Sequence, residues 1–580
     1  MLGSKFRNRI GKFLPIVPLA LVVCIFFLYP VGSLLSLSFV GPGQAIGLDQ
    51  YRQVFRSDVY VQLIVYTLYV SAAVTVVSVL IAYPVCVYLA RLPPAGRRKL
   101  VLFVLIPFWT SFLIRTFAWI AILSRTGLIN DLLMSFSVTS GPLHLMYNSL
   151  GLIVGMVHAL LPLAILTMLP VVCEIDPQLP KAGAVMGAGG SQVFWRIFFP
   201  LSFPGVSAAA VLVFVTSLGF FITPALLGGA SQTMISQIII RQVQELVNWS
   251  FAGALSVLLL ATTLLVLAVY GRVFGLASLV GTPGGTVGMG TGTIGVRLLG
   301  AIGYICDFVG RALGLSLIFR RIGSRILATI TGLVMAFLML PVLVLVPISV
   351  TRTSLLAWPP VGFSWRWYEE LVTSGQWVGA ASASLAIGFM VAALAVIIGT
   401  AAAFVIIRVP FKGKGVLISL AIAPLIIPRI IIGVALMYFF ARLKLIDTYS
   451  GLIIGHLVLA VPYVLITVLA VLRDYNIALD HAAWTLGARS ISTLRKVTLP
   501  LIRPGLLTAF AFAFITSFDD VTISMFLSGS NVVTLPKKMW LDAFLDITPV
   551  LAAVSTISVV LISVFLVSTE LLRSRVARPS

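Results

Sequence analysis

The chain reads EIDPQLPKAGAVMGAGGSQVFWRIFFPLSFPG from Glu174 to Gly205 and NIALDHAAWTLGARSISTLRKVTLPLIRPG from Asn476 to Gly505. Each stretch lies between two long apolar runs, and its pattern predicts a helix, a glycine turn and a second helix. In the first copy, Asp176 and Pro177 suit a helix cap and a first turn. Gly187 suits the left-handed residue that ends a helix. Two such loops in one chain indicate a duplicated helical fold.

The two loops belong to a longer repeat. Residues match at a fixed offset of 300 positions, without a gap, through the later part of each half. The matched residues of the first half are Gly151, Leu152, Ile153, Gly155, Pro162, Ala182, Gly187, Ala188, Pro200, Leu201, Pro204, Gly205, Thr216 and Ser217. Such a series indicates a duplication, and we predict two six-helix units in parallel orientation.

The composition is that of a membrane protein. Of the 580 residues, 60% are hydrophobic and 10% are charged, which excludes a soluble enzyme. The net charge of +22 would suggest nucleic-acid binding in a soluble protein. In a multi-pass membrane protein, Lys and Arg collect in the cytoplasmic loops. We therefore attribute the charge to topology and expect no nucleic-acid partner.

Twelve apolar segments are long enough to cross a membrane as helices, which takes about 20 residues each. They lie near 14–38, 61–90, 100–123, 148–172, 203–225, 249–271, 326–350, 380–407, 416–440, 451–472, 503–527 and 547–571. The first segment follows basic residues and is too long for a signal-peptide core, so we expect it to remain as a membrane helix. The even count and the positions of the basic loops predict that both termini are cytoplasmic.

A segment of different composition joins the two halves. From Gly275 it is rich in Gly and Thr, which predicts a flexible linker. From Arg297 to Arg321 it is apolar with one polar stripe, which predicts an interfacial helix on the cytoplasmic leaflet. We therefore place a first unit at 1–274, the linker and interfacial helix at 275–323, and a second unit at 324–580.

The cysteines and histidines do not form a metal-binding pattern. Cys24, Cys86, Cys173 and Cys306 form no CxxC pair. His158 and His456 lie in apolar segments and are expected to make local hydrogen bonds. We predict no metal site and no catalytic residue.

The repeated loop resembles the EAA loop in the permease subunits of ABC importers. The EAA pattern is Glu-Ala-Ala, three residues, Gly, and later Ile or Val and Leu-Pro. In that family the first helix of the loop, the coupling helix, sits in a groove of an ATPase subunit. The resemblance implies ATPase-coupling residues at Lys181, Ala182, Gly183, Gly187, Asp480, His481, Ala482, Ala483 and Gly487. Lys181 and His481 stand where the family has the glutamate that usually pairs with the ATPase. Asp480 is the candidate to form that ion pair in place of the glutamate.

The resemblance extends to the spermidine/putrescine permeases, a subfamily that also includes opine and aminophosphonate permeases. PFWTSFLIRTFAWI at 107–120 is similar to the first subunit of the polyamine permeases. GFSWRWYEEL at 362–371, PLIIPRIIIGVAL at 424–436 and SFDDVTISMFLSG at 517–529 are similar to the second subunit. The chain therefore resembles a natural fusion of two subunits.

The resemblance implies a transport subunit of the bacterial inner membrane and not an enzyme. The sequence has no GxxxxGK[ST] motif, so two separate ATPase subunits would bind ATP and Mg²⁺, one at each loop. A periplasmic binding protein would deliver a small polar, amine-containing solute, and the permease would move it by alternating access.

Charged residues inside the apolar segments mark the candidate substrate pathway, because such charges are expensive in a membrane. They are Arg115 and Arg429 in the third segments, and Asp519 and Asp520 in the second fifth segment. Trp109, near Arg115, completes the candidate set. Either the acids bind an ammonium group of the solute, or the acids and arginines pair with one another.

A secondary active transporter is the alternative from another class, because parallel six-helix repeats also occur there. For the major facilitator superfamily we would expect a Gly-rich Asp/Arg signature after the second segment. The loop RLPPAGRRK at 91–99 lacks that signature. Uptake driven by an ion gradient without ATPase subunits would favour this alternative.

Overall fold

The computed structural model describes residues 13–41, 45–274, 301, 304–305, 308, 315–354, 357–545 and 548–576. Within them the fold is helical, and extended pairing is confined to two isolated bridges, Val40 with Ile46 and Thr351 with Phe363. The principal helices are α1 (Leu14–Leu37), α2 (Asp58–Arg91), α3 (Pro94–Trp109), α4 (Phe112–Leu123), α5 (Leu128–Ser135), α6 (Ser149–Cys173), α7 (Gln178–Val185), α8 (Gly190–Leu218), α9 (Ile222–Leu227), α10 (Trp249–Phe274), α11 (Leu315–Ser349), α12 (Gly375–Arg408), α13 (Lys414–Ile426), α14 (Arg429–Leu443), α15 (Tyr449–Asp474), α16 (Ala478–Thr485), α17 (Ser490–Phe518), α18 (Thr522–Leu527), α19 (Leu535–Leu545) and α20 (Pro549–Val576). Further short helices lie at Asp49–Arg56, Ile235–Gln244 and Arg366–Thr373.

Ten helices in the described ranges are long and apolar enough to cross a membrane. They are α1, α2, α4 together with α5, α6, α8, α10, α11, α12, α15 and α17. Helices α13 and α14 meet at 98° and make an eleventh if they form one bent span. The apolar part of α20, Pro549–Val564, is shorter. The all-helical membrane class is confirmed, whereas twelve spans and cytoplasmic termini stay predictions.

The third apolar segment of each half contains two helices, which corrects the prediction of continuous helices at 100–123 and 416–440. In the second half, Pro428 lies between α13 and α14. A proline pushes the preceding residue into an extended conformation, and Ile427 has a ψ of 133°. In the first half, the Ser111 hydroxyl caps α4 by accepting a backbone N–H at 3.2 Å. Each third span therefore starts a new helix within its apolar segment.

Packing divides the chain into two compact units, and each unit includes helices from both sequence halves. One contains the described residues up to 57, those from 238 to 260, and 370–545. The other contains 58–237, the described residues from 261 to 369, and those from 548 onward. Thus α1 packs with helices of the second half, and α11 packs with helices of the first. The boundaries at 274 and 324 concern the sequence duplication and stay predictions.

Helix α15 is central in one unit, and α6 is central in the other. A Cβ on Gly455 of α15 would lie 2.7 Å from the Leu527 Cδ1 of α18. A Cβ on Gly155 of α6 would lie 2.6 Å from the Leu227 Cδ1 of α9. Real Cβ atoms do not approach other atoms so closely, so a larger residue at either position would require these leucine side chains to shift. Close helix packing therefore explains this repeated glycine.

The predicted linker and interfacial helix, 275–323, lie almost entirely outside the described residues. Helix α11 begins at Leu315, inside the predicted range, and continues without a break to Ser349. The last part of the predicted interfacial helix is therefore continuous with a helix of membrane-spanning length.

Candidate functional site

We call the two repeated loops, 174–205 and 476–505, the first and second coupling loops, after their predicted role. The first consists of α7, a glycine turn and the start of α8. The Asp176 carboxylate accepts the backbone N–H of Gln178, the first residue of α7, at 2.9 Å, and the N-cap is Pro177, one residue later than predicted. Gly187 has a φ of +85°, the left-handed conformation that ends the helix. Gly183 is buried, and it lies so close to α8 that a Cβ there would be 2.4 Å from the Ile197 side chain. The loop is therefore a helical hairpin closed by a tight contact.

The second coupling loop has the same backbone geometry. The Asn476 side chain accepts the N–H of Ala478, the first residue of α16, at 3.0 Å, and Gly487 also has a φ of +85°. Both loops lead into a five-residue π-helical turn, at Phe194–Phe198 and Leu494–Thr498. These wide turns were not predicted from the sequence. Their signal was the proline that follows each turn, since its ring would clash with a carbonyl one α-helical turn earlier.

Most of the predicted coupling residues are at the surface. Those exposed are Lys181, Ala182, Gly187, His481, Ala482 and Gly487, and Ala483 is half-buried. The apolar side chains beside each glycine turn were not predicted as part of this surface. Met186 is 82% exposed and its repeat partner Leu486 is 88% exposed. Exposed apolar side chains next to small residues form a surface suited to a protein partner.

Gly183 and Asp480 are the two buried residues among the predicted coupling residues, and of these two only Asp480 carries a charge. It is completely buried, and its carboxylate pairs with the Arg408 guanidinium. It also accepts hydrogen bonds from the Tyr475 hydroxyl at 2.7 Å and the Thr498 hydroxyl at 2.8 Å. The expectation that Asp480 forms an ion pair with an ATPase is therefore wrong, because its carboxylate has no surface to offer.

An ion pair joins two helix ends in the candidate pathway of the second half. Arg429 is the first residue of α14, and Asp520 lies just before α18. The Arg429 Nη1 is 3.8 Å from the Asp520 Oδ1. The other oxygen, Oδ2, accepts the N–H of Ile523 at 2.7 Å and that of Ser524 at 3.3 Å. Asp520 thus caps α18, where the helix dipole favours a negative charge.

His456 of α15 lies beside this ion pair. Its Nδ1 is 2.7 Å from the Ser517 hydroxyl and its Nε2 is 3.3 Å from the Ser524 hydroxyl. The same Nε2 is 3.8 Å from the Asp520 carboxylate. His158 in the other unit contacts the Leu338 carbonyl at 3.2 Å. The prediction of local hydrogen bonding is confirmed, and no cluster of three metal-ligating side chains occurs among the described residues.

The remaining pathway candidates have other surroundings. Arg115 is 2% exposed, donates to the Ala159 carbonyl at 2.8 Å and lies over the Phe112 ring. Trp109 is half-buried at the end of α3, with its ring 5.3 Å from that of Phe108. Asp519 is half-buried at the end of α17. The structure therefore brings Arg429 and Asp520 together, while Arg115 is anchored to a neighbouring helix of its own unit.

The broken third spans reveal which residues correspond in the two halves. Phe112 begins α4 as Arg429 begins α14, so Phe112 and not Arg115 is the counterpart of Arg429. Phe220 is the counterpart of Asp520, and the Phe112 and Phe220 rings meet edge to face at 5.1 Å. One half therefore has an aromatic pair where the other has an ion pair.

Comparison with known proteins places the same kind of domain twice in the chain. The family model described as "binding-protein-dependent transport system inner membrane component" matches residues 82–274 and 395–578. Together these ranges cover more than half of the chain.

Individual relatives match one half at a time. The spermidine/putrescine transport system permease protein PotB of Haemophilus influenzae is 30% identical over 260 residues, 45% of this chain and 88% of that protein. PotC of the same organism is 32% identical over 240 residues, 41% of this chain and 93% of that protein. A solved bacterial alginate ABC transporter in complex with its periplasmic protein matches with a TM-score of 0.38 and 20% identity, covering 47% of this chain and 92% of that chain.

Proposed function

The chain belongs to the family of binding-protein-dependent transport system inner membrane components, and on that premise we propose that it imports a small amine-containing solute at the expense of ATP. It is a permease of an ABC importer, a multi-pass membrane protein with two copies of the family domain and not itself an enzyme. The solute, the partners and the transport cycle are the proposal.

The two coupling loops support an ATP-driven cycle. Each is a short helical hairpin with exposed apolar and small side chains, and each continues into a long membrane helix. We infer that one ATPase subunit, carrying ATP and Mg²⁺, docks on each loop. Closure of the ATPases then draws the loops together and opens the pathway toward a periplasmic binding protein, and hydrolysis reverses the change.

The environment of the Asp520 carboxylate is the observation that supports an amine-containing solute. Its Oδ1 is buried and makes no hydrogen bond, with Arg429 3.8 Å away. A buried carboxylate oxygen without a close donor suits an ammonium group, which brings several N–H donors and a compensating charge. The solute would replace Arg429 as the partner of Asp520, and Asp519 next to it would raise the local negative charge. The polyamine specificity of the relatives agrees with this choice.

Reconstitution into liposomes tests the proposal. The permease is combined with the ATPase subunits and the binding protein of its own system, and uptake of labelled spermidine and putrescine is measured with and without ATP. We expect uptake only when ATP and all partners are present. Uptake driven by a proton or sodium gradient without ATPase subunits would instead identify a secondary transporter.

A further inference from the structure

The buried carboxylate of Asp480 joins four separate pieces of one compact unit. Arg408 is the last residue of α12, and Tyr475 directly follows α15. Asp480 belongs to the coupling helix α16, and Thr498 lies in the π-helical turn of α17. All three partners donate hydrogen bonds to the one carboxylate. We call these four residues the Asp480 network.

The chemistry of the network makes it rigid. Asp480 and Thr498 are both completely buried, and each contact is a hydrogen bond to a charged acceptor, the strong kind. The Arg408 guanidinium is also held over the Phe404 ring at 5.0 Å. Burial raises the pKa of the Tyr475 phenol, and its hydrogen bond to Asp480 raises it further. Tyr475 therefore stays protonated and remains a donor at neutral pH.

The first coupling loop lacks this network. At the offset of 300, Pro180 stands in place of Asp480, and Phe198 stands in place of Thr498. There, α7 meets α8 through the apolar contact of Gly183 with Ile197. The two loops thus share a backbone shape but differ in how the coupling helix is attached to the membrane helices.

We propose that Asp480 is a positioning residue that transmits movement of the second coupling helix to α12, α15 and α17 as one body. The first coupling helix, without a counterpart of the Asp480 carboxylate, transmits movement through the apolar contact of Gly183 with Ile197. This inference rests on the proposed docking of an ATPase at each loop. A buried, charged attachment resists being pulled apart, because separation would leave an unpaired charge inside the protein.

Hydrogen exchange on the complete complex tests the inference directly. The permease is assembled with its ATPase subunits and binding protein, and exchange is compared with and without Mg²⁺ and a non-hydrolysable ATP analogue. In the wild type we expect the analogue to change exchange in both α16 and the start of α17. In Asp480→Asn, the change at residues 490–498 should shrink by about fivefold or more, the lower range of typical coupling between sites, while the change in α16 persists.

Transport provides a second readout. We expect complexes that contain Asp480→Asn to retain the ATP hydrolysis of their ATPase subunits, while the amount of spermidine or putrescine moved per ATP falls. Tyr475→Phe and Thr498→Val each delete one hydrogen bond and should cause smaller losses of the same kind, even if Asp480→Asn does not fold. Asp474→Asn, at an exposed position shortly before the network, is the matched control and should behave as the wild type.

The possible outcomes separate the inference from the proposed function. Equal responses of α16 and residues 490–498 in folded Asp480→Asn would overturn the inference, as would unchanged responses in both single-bond variants. Wild-type complexes that import neither polyamine would overturn the proposed solute, yet the exchange experiment would still decide the role of Asp480. Failure of the ATPase subunits to bind the permease would overturn the proposed function and the inference together.

Discussion

The two carboxylate oxygens of Asp520 have different roles, because one caps a helix and the other faces a positive charge. One oxygen accepts two backbone N–H groups of α18, and the other faces Arg429 without a hydrogen bond. In the other half, Phe220 occupies the corresponding position and packs on an aromatic ring. The repeat therefore preserves the helix break but not the chemistry at the break.

Asp520→Asn should reduce ATP-driven uptake of spermidine by about tenfold, which corresponds to ~1.4 kcal/mol. The amide can still cap α18 but carries no charge for an ammonium group. Initial uptake rates in proteoliposomes measure the effect. Asp542→Asn removes an acid that pairs with Lys538 on α19 and serves as the control. Normal uptake by Asp520→Asn with unchanged solute preference would remove Asp520 from the pathway.

Asp447 stabilises a loop at a position where the two halves share a backbone but not a side chain. Asp447 has a φ of +60° and Tyr147 has a φ of +58°. Their N–H groups reach the Leu527 and Leu227 carbonyls at 2.8 and 2.9 Å. The Asp447 carboxylate reaches the loop that follows α18, where it accepts the N–H of Val532 at 2.9 Å.

The stability of this loop should depend on acid pH. Burial raises the pKa of Asp447, but the backbone N–H groups of residues 529–532 outweigh it and hold the pKa below its ordinary value of 3.8. A lowered pKa stabilises the fold above pH 3.8 and loses that effect as the pH falls through the folded value. Proteolysis of the detergent-solubilised permease, in acid and at neutral pH, measures this. Asp447→Asn should make cleavage near residue 530 independent of pH in that range, and the same acid sensitivity in the variant would contradict the assignment.

At the scale of elements, the coupling loops depend on a backbone conformation that only glycine adopts without strain. The variants Gly187→Pro and Gly487→Pro should each insert into the membrane and leave the ATP hydrolysis of the partner subunits intact. Transport should be lost, because proline fixes φ near −65° and both turns need +85°. The ratio of solute moved to ATP hydrolysed is the measurement. Gly413→Ala strains a turn with φ +96° in another loop and should leave that ratio unchanged. Full transport by both proline variants would contradict the role of these turns.

The extents of several long helices could be predicted from sequence, because apolar length reports them. The fifth segments, predicted at 203–225 and 503–527, were wrong in extent: α8 is Gly190–Leu218 and α17 is Ser490–Phe518. The predicted segment 148–172 corresponds to α6, and 451–472 lies within α15. The breaks in the third spans were missed, although Pro428 was visible. An apolar run looks the same whether it is one helix or two, and a hydroxyl cap such as Ser111 depends on local geometry.

For the whole molecule, the cytoplasmic location of both termini is a prediction that fusion reporters can check. A fluorescent protein that folds only in the cytoplasm should fluoresce at either end of the chain, because the basic loops place both ends inside. Alkaline phosphatase fused after Ser140, in a loop predicted to face the periplasm, should be active. Phosphatase activity at either terminus would reverse this topology.

The sequence by itself determined the membrane class, the duplication and the two glycine turns. Hydrophobic length, a fixed offset between repeats and the conformational freedom of glycine can each be recognised without knowing any tertiary contact. It also pointed to Asp480 as a special residue but gave it the wrong partner. Only the tertiary structure decided that Asp480 is enclosed by Arg408, Tyr475 and Thr498, and that Arg429 meets Asp520. Which charges pair, and which remain at the surface, depends on how helices that are far apart in sequence pack together. The spacing of residues along the chain does not determine the distance between their side chains in space.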